Sequence, residues 1–201
     1  MIDAGPDLSP RHDELLELAY RYVLEHGMTG LSLRPLATAV GSSPRVLLFL
    51  FGSKDGLVRA LLARARADEL ALLKRVQPIN PDSGLAVVAA ALWRWLAADE
   101  HRALLRLWTE AYARSLVERD GPWADFARAT VEDWLALLAT TQPPEQRDRR
   151  AAVAERTLVL AVLRGALLDL LATDDRTRTT AAVERHLHIM TPTANPDTRN
   201  G

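Results

Sequence analysis

Between Gly41 and Gly52 the chain reads GSSPRVLLFLFG, and its punctuation leaves few choices. Ser43 and Pro44 suit an N-cap and a first helical residue: the serine oxygen can accept a free first-turn amide, and proline has no amide to leave unpaired. Gly41 permits a tight turn before the helix, which is expected from Pro44 to Phe51. Its content is odd for a helix that touches DNA, because Val46, Leu47, Leu48, Phe49, Leu50 and Phe51 are all apolar.

The preceding residues supply what this helix could pack on. Leu15, Leu18, Tyr22 and Val23 recur at helical spacing, with Pro10 expected at the first helical position and Gly27 at the stop. A second helix is expected over Leu33 to Val40, capped by Ser32, with Pro35 tolerated in the first turn, where amides lack helical partners. Three helices, with a turn of about three residues between the last two, make a helix-turn-helix module.

The pattern stays helical beyond it. A long helix is expected from Ser53 to Gln77, then a break at PINPDSG, then helices over 84–98, 101–118, 123–140, 144–172 and 176–190. Gly121-Pro122, Pro143-Pro144 and Thr173-Asp174-Asp175 separate them, and the tail TPTANPDTRNG is expected to be disordered. No strand alternation or internal repeat is evident, so the fold class is all-α. The expected organisation is a helix-turn-helix head over 1–52, a helical domain over 53–190, and a tail over 191–201.

Composition excludes several classes. There is no cysteine, hence no disulfide or thiolate metal site, which fits a cytoplasmic location. No apolar run approaches the length of a membrane span, and the start lacks the basic-then-apolar pattern of a signal peptide. Net charge is −1, so the chain is no general polyanion binder. Between Gly27 and Ala60, however, Arg34, Arg45, Lys54 and Arg59 face only Asp55. Any electrostatic footprint on nucleic acid is local to that stretch.

Residues 15–57, LLELAYRYVLEHGMTGLSLRPLATAVGSSPRVLLFLFGSKDGL, resemble the N-terminal domain of TetR-type transcriptional repressors. The shared features are Gly27 after the first helix, Ser32 before the second, and the Arg-x-Leu-Ala step from Arg34 to Ala37. Gly41 in the turn, Leu47 and Phe51 in the recognition helix, and Ser53, Lys54, Asp55 and Leu57 complete the set. Each piece is weak alone; together they are specific. AVLRGALLDLLATDDRTRTTAAVERHL is similar to the last two helices of that family, which dimerise. The chain departs from the family where Leu48 replaces a tyrosine that commonly holds the DNA backbone, and where Arg45 replaces a small residue.

The apolar helix then divides in two. Leu47, Leu50 and Phe51 share a face and are expected to pack on the first helix. Arg45, Val46 and Phe49 point elsewhere: arginine can donate two hydrogen bonds to guanine, and an apolar side chain can touch a thymine methyl. Leu48 either packs or substitutes weakly for the missing tyrosine. The resemblance implies a phosphate contact for Lys54. Ser32 and Arg34, at the start of the second helix, and Ser43, at the start of the third, complete the expected DNA-binding set, because helix N-termini favour phosphate.

All five tryptophans lie in the C-terminal part. Trp95, Trp108, Tyr112, Thr130 and Trp134 either pack a core or line a pocket for a small hydrophobic or aromatic effector. Arg164 and Asp169 interrupt an apolar helix, so with Leu167 and Leu171 they are the candidate dimer contacts, a ligand-anchoring role for Arg164 being the alternative. His186 and His188, two apart, point to different helix faces, so no metal is expected. No cofactor is expected, and no motif supports an enzyme. The expected function is a ligand-responsive regulator, most plainly a repressor, that binds a near-palindromic double-stranded operator as a homodimer. The rival is a helical small-molecule-binding protein that has lost DNA reading.

Overall fold

A computed structural model describes residues 8–76, 84–118 and 120–190. The expected break at 77–83 and the tail over 191–201 lie outside the described residues. Within them the helices are α1 (Leu8–His26), α2 (Leu33–Ala39), α3 (Pro44–Phe51), α4 (Lys54–Val76), α5 (Gly84–Leu96), α6 (Arg102–Val117), α7 (Phe126–Ala139), α8 (Arg150–Thr173) and α9 (Arg176–Met190). No strand occurs among the described residues. The chain is all-α.

The expected α3 is found with its bounds unchanged. Ser43 accepts a hydrogen bond from the Val46 amide at 3.2 Å, Pro44 opens the helix, and Gly52 closes it at φ +75°. Helix α1 stops where expected, the Gly27 amide bonding the Val23 carbonyl at 2.8 Å. Two expectations need correction. Pro10 is the third residue of α1, not the first, still inside the turn where its missing amide costs nothing. Helix α8 begins at Arg150, because residues 144–149 fold as turns on the Pro143 carbonyl, which accepts from the amides of Gln146 and Arg147.

The chain divides into two compact units, one within Met1–Leu72 and Glu100–Asp133, the other within Leu73–Asp99 and Trp134–Gly201. In the first, α1 packs against α2, α3 and α6, and α2 against α3. Leu15, Ala19, Tyr20 and Val23 of α1 meet a core that includes Leu36, Ala37, Leu47 and Leu57, all buried. Arg64 of α4 forms ion pairs with Glu17 of α1 and with Asp68, and its guanidinium lies 4.9 Å from the centre of the Tyr20 ring. Burial, reinforced by Asp68, pushes the Tyr20 hydroxyl well above the ordinary tyrosine range.

In the second unit α5, α8 and α9 pack on one another. Val88, Leu92, Val159, Leu163, Leu167 and Val183 are buried, and the Trp93 indole donates to the Thr180 hydroxyl at 3.0 Å, tying α5 to α9. The α8–α9 corner is closed by Arg178, which donates two bonds of 2.7 Å to Asp169. Those bonds hold the Asp169 carboxyl below its usual range. A carboxyl with a depressed folded pKa stabilises the fold above its unfolded value, and that contribution disappears as pH falls through the folded one. Asp169→Asn is therefore expected to lower Tm at pH 7, with the gap to the wild type closing as pH falls below the ordinary aspartate range; thermal melts across pH measure it.

Candidate nucleic-acid interface

Helix α3 has eight residues, and at about 100° per residue its burial sorts cleanly. Leu47 is 1% exposed, and Leu50 and Phe51 flank it half-buried. Phe51 reaches α1, its ring 4.7 Å from that of His12. The opposite arc holds Arg45 and Phe49 at its centre, about 40° apart, with Val46 and Leu48 at its sides. Phe49 is 71% exposed, Leu48 40% and Val46 38%, and Arg45 is exposed as well. One short helix thus carries a buried apolar face and an exposed apolar face.

The flanking candidates are also at the surface. Arg34, in the first turn of α2, and Lys54, the first residue of α4, are exposed, as is Arg59. Among the described residues none of Arg34, Arg45, Lys54 and Arg59 forms an ion pair. Ser32 holds the N-cap position of α2, but its side chain makes no capping hydrogen bond, which corrects the expected cap. Its hydroxyl is exposed. The Ser43 hydroxyl, by contrast, is engaged at the cap of α3.

Two residues that sequence reasoning passed over set the position of this surface. Gly56 lies in the first turn of α4, where an added Cβ would stand 2.0 Å from the Phe51 carbonyl oxygen. Only glycine lets the end of α3 approach α4 so closely. Its signal was visible, a glycine inside an otherwise helical run. The second residue is Glu110 of α6. Its carboxylate accepts from the Met28 amide at 3.0 Å and from the Thr29 hydroxyl, so α6 grips the α1–α2 connection. Gly27, at φ +75°, leaves room for that grip, since a Cβ there would lie 3.3 Å from Glu110 Oε2. No local pattern announces a contact spanning 82 residues.

The three N-terminal helices and the start of α4 match the family model of bacterial regulatory proteins of the tetR family over residues 15–61. A solved TetR-family member from Streptomyces coelicolor A3 is 26% identical, covering 91% of this chain and 99% of its own, with a TM-score of 0.68. The multidrug binding protein EbrR, solved in complex with proflavin, is 26% identical, covering 87% of this chain and 98% of its own, with a TM-score of 0.63. Residues 15–61 thus match the tetR family, and the chain as a whole is similar to solved TetR-family proteins. A TetR transcription regulator from Haloarcula marismortui ATCC 43049, 18% identical over 88% of this chain and 94% of its own, shares the fold with a TM-score of 0.71. No curated protein matches the sequence significantly.

The candidate effector residues fall into both units. In the first, Trp108 is buried and stacks on Tyr112 with ring centres 5.1 Å apart, while its indole donates to the buried Glu69 carboxylate at 3.1 Å. Thr130 is fully buried and its hydroxyl is spent on the Phe126 carbonyl. In the second, Trp134 is buried and Trp95 half-buried. No helix among the described residues is long and apolar enough to cross a membrane.

The candidate dimer residues differ in their surroundings within the chain. Leu167 is 2% exposed and faces the core of its own unit, and Asp169 is paired with Arg178 of the same chain. Arg164 and Leu171 are half-buried. The outer face of α8 is instead Ala154, Leu158, Ala161, Gly165, Leu168 and Ala172, all exposed at alternating spacings of four and three. Leu158 and Leu168 are each more than half exposed, and nothing lies within 4 Å of the position a Gly165 Cβ would take.

Gly56→Ala supplies a direct check on the α3–α4 junction. The added methyl must push α3 away from α4, costing about 1–3 kcal/mol by the usual penalty for overpacking. Denaturant unfolding should show that loss, and sequence-specific DNA binding should fall with it.

Proposed function

We propose that the chain is a ligand-responsive transcriptional repressor of the cytoplasm. It binds a near-palindromic operator as a homodimer through residues 1–52 and is released by a small hydrophobic or aromatic effector held within 53–190. The observation that carries this reading is the exposed arc of α3, with Arg45 at its centre and unpaired Arg34, Lys54 and Arg59 in the surrounding sequence. Arg45 donates to guanine in the major groove, while Val46 and Phe49 supply apolar contact. Arg34 and Lys54 hold phosphates and fix register without reading sequence. The hydroxyls of Ser32 and Ser43 add donors at the starts of α2 and α3, where the helix dipole favours an anion.

A second copy covers the small-residue seam of α8. A seam in which Leu158 and Leu168 stand on either side of Gly165 suits the self-complementary contact of a two-fold dimer. Two heads then address half-sites about 34–36 Å apart. The exposed Ile189 on α9 extends the same apolar surface chemistry.

Release runs through α6. Trp108 and Tyr112 lie on one side of that helix and Glu110 about 200° around it, so an effector stacking on the aromatic pair displaces the helix that grips the α1–α2 connection. EbrR is solved with proflavin and with ethidium, aromatic molecules of the kind such a stack accommodates. The differential affinity needed is modest, about 1–3 kcal/mol.

Two measurements test the reading. Pull-down of genomic fragments at low and physiological salt should enrich a palindromic site, and Arg45→Ala should weaken it by roughly 1–3 kcal/mol per half-site. Enrichment of nothing at either salt would leave a ligand-binding protein without an operator. Leu168→Arg should convert the dimer to monomer in analytical ultracentrifugation and reduce operator affinity by about 10²-fold or more. A variant that stays dimeric and binds normally would remove the seam from the model of assembly.

A further inference from the structure

We infer that α3 reads the C5 methyl groups of pyrimidines, so that Phe49 and Val46 distinguish thymine from uracil and 5-methylcytosine from cytosine. This rests on the regulator reading above and adds the chemistry by which the operator is chosen. The exposed arc of α3 offers one side chain with hydrogen-bond donors, Arg45, against three apolar ones, Val46, Leu48 and Phe49. Most discrimination by this helix therefore comes from apolar contact. A phenyl ring 71% exposed is a large apolar surface to leave in water, and such surfaces mark contact sites.

What can cover that ring follows from charge. Arg34, Arg45, Lys54 and Arg59 are exposed and form no ion pair among the described residues, which suits a polyanion. On the major-groove edge of a polyanionic duplex, thymine presents an apolar group, its C5 methyl, where cytosine presents only hydrogen. A methylated cytosine carries the same methyl at the same ring position. A helix that recognises the base by this methyl treats thymine and 5-methylcytosine alike and rejects uracil and cytosine.

The geometry also relates the two readings. Arg45 and Phe49 are one turn apart on the same face, separated by about 6 Å along the helix axis. With the helix along the groove, the guanine read by Arg45 and the methyl read by Phe49 lie roughly one or two base-pair steps apart. Val46, at the side of the arc, reaches a neighbouring methyl. Binding then depends on cytosine methylation wherever a cytosine occupies a contacted pyrimidine position beside that guanine.

The test uses the full-length protein and an operator selected from random duplexes. Each thymine is replaced in turn by deoxyuridine, and each contacted T·A pair by C·G or 5-methyl-C·G, with affinity read by fluorescence anisotropy. One lost methyl should weaken binding about four-fold per half-site, the equivalent of about 0.8 kcal/mol, at one or two positions near the guanine. The 5-methyl-C·G duplex should recover most of the affinity that C·G loses. Phe49→Ser, at an exposed position, should bind thymine and uracil equally at the position Phe49 contacts while discrimination at the neighbouring position read by Val46 persists, whereas Phe49→Leu should keep part of the discrimination at the first position. Uracil operators bound as tightly as thymine ones would overturn the proposal while leaving the regulator reading intact, and so would a Phe49→Ser variant whose discrimination is unchanged at every position. A selection that yields no operator sinks the regulator reading and this one with it.

Discussion

The head of this protein is held by a carboxylate that lies 82 residues further along the chain. The connection between α1 and α2 contains two glycines with positive φ, Gly27 and Gly30, and its Met28 amide donates to Glu110 rather than to either helix. A buried amide without an acceptor costs about as much as a lost hydrogen bond. Glu110 supplies that acceptor and takes the Thr29 hydroxyl as well. The helix-turn-helix is consequently no independent module: its first turn is defined by α6, and α6 belongs to the same compact unit. The aromatic pair Trp108 and Tyr112 stands on the same helix as the group that grips the head.

A second constraint operates inside α3. Eight residues make little more than two turns, and a helix that short can bury only one arc. Leu47 takes the centre of the buried arc, and Leu50 and Phe51 its flanks, so the remaining apolar residues have nowhere to go but outward. The hydrophobicity of this helix therefore serves two purposes at once. One half holds it on α1, with the His12–Phe51 ring contact at the edge. The other half stays exposed, and Gly56 permits the close approach of α4 to the end of α3.

The helices were largely legible because breakers and apolar period are local signals. The stop at Gly27, the cap at Ser43 and the whole of α3 needed no tertiary information. The start of α8 was misjudged because Pro143-Pro144 looks like a helix opening, whereas the chain spends six further residues in turns around the Pro143 carbonyl. Charges inside an apolar helix suggested an interface, yet Asp169 is satisfied by Arg178 in its own chain, and Leu167 lies on the buried arc. The open seam consists of small and aliphatic residues, which carry no such flag in a one-dimensional reading.

The sequence by itself determined the element types, the turn before α3, the split of α3 into two faces and the local excess of cations between Gly27 and Ala60. Each depends on a period, a cap or a charge that operates within a few residues. Only the tertiary structure decided which acceptor satisfies the α1–α2 connection, why Gly56 must be glycine, and which arc of α8 is left open. Those outcomes depend on which helix lies against which face. Packing brings together residues whose separation along the chain leaves no pattern in it, and burial is a property of the assembled arc rather than of any residue.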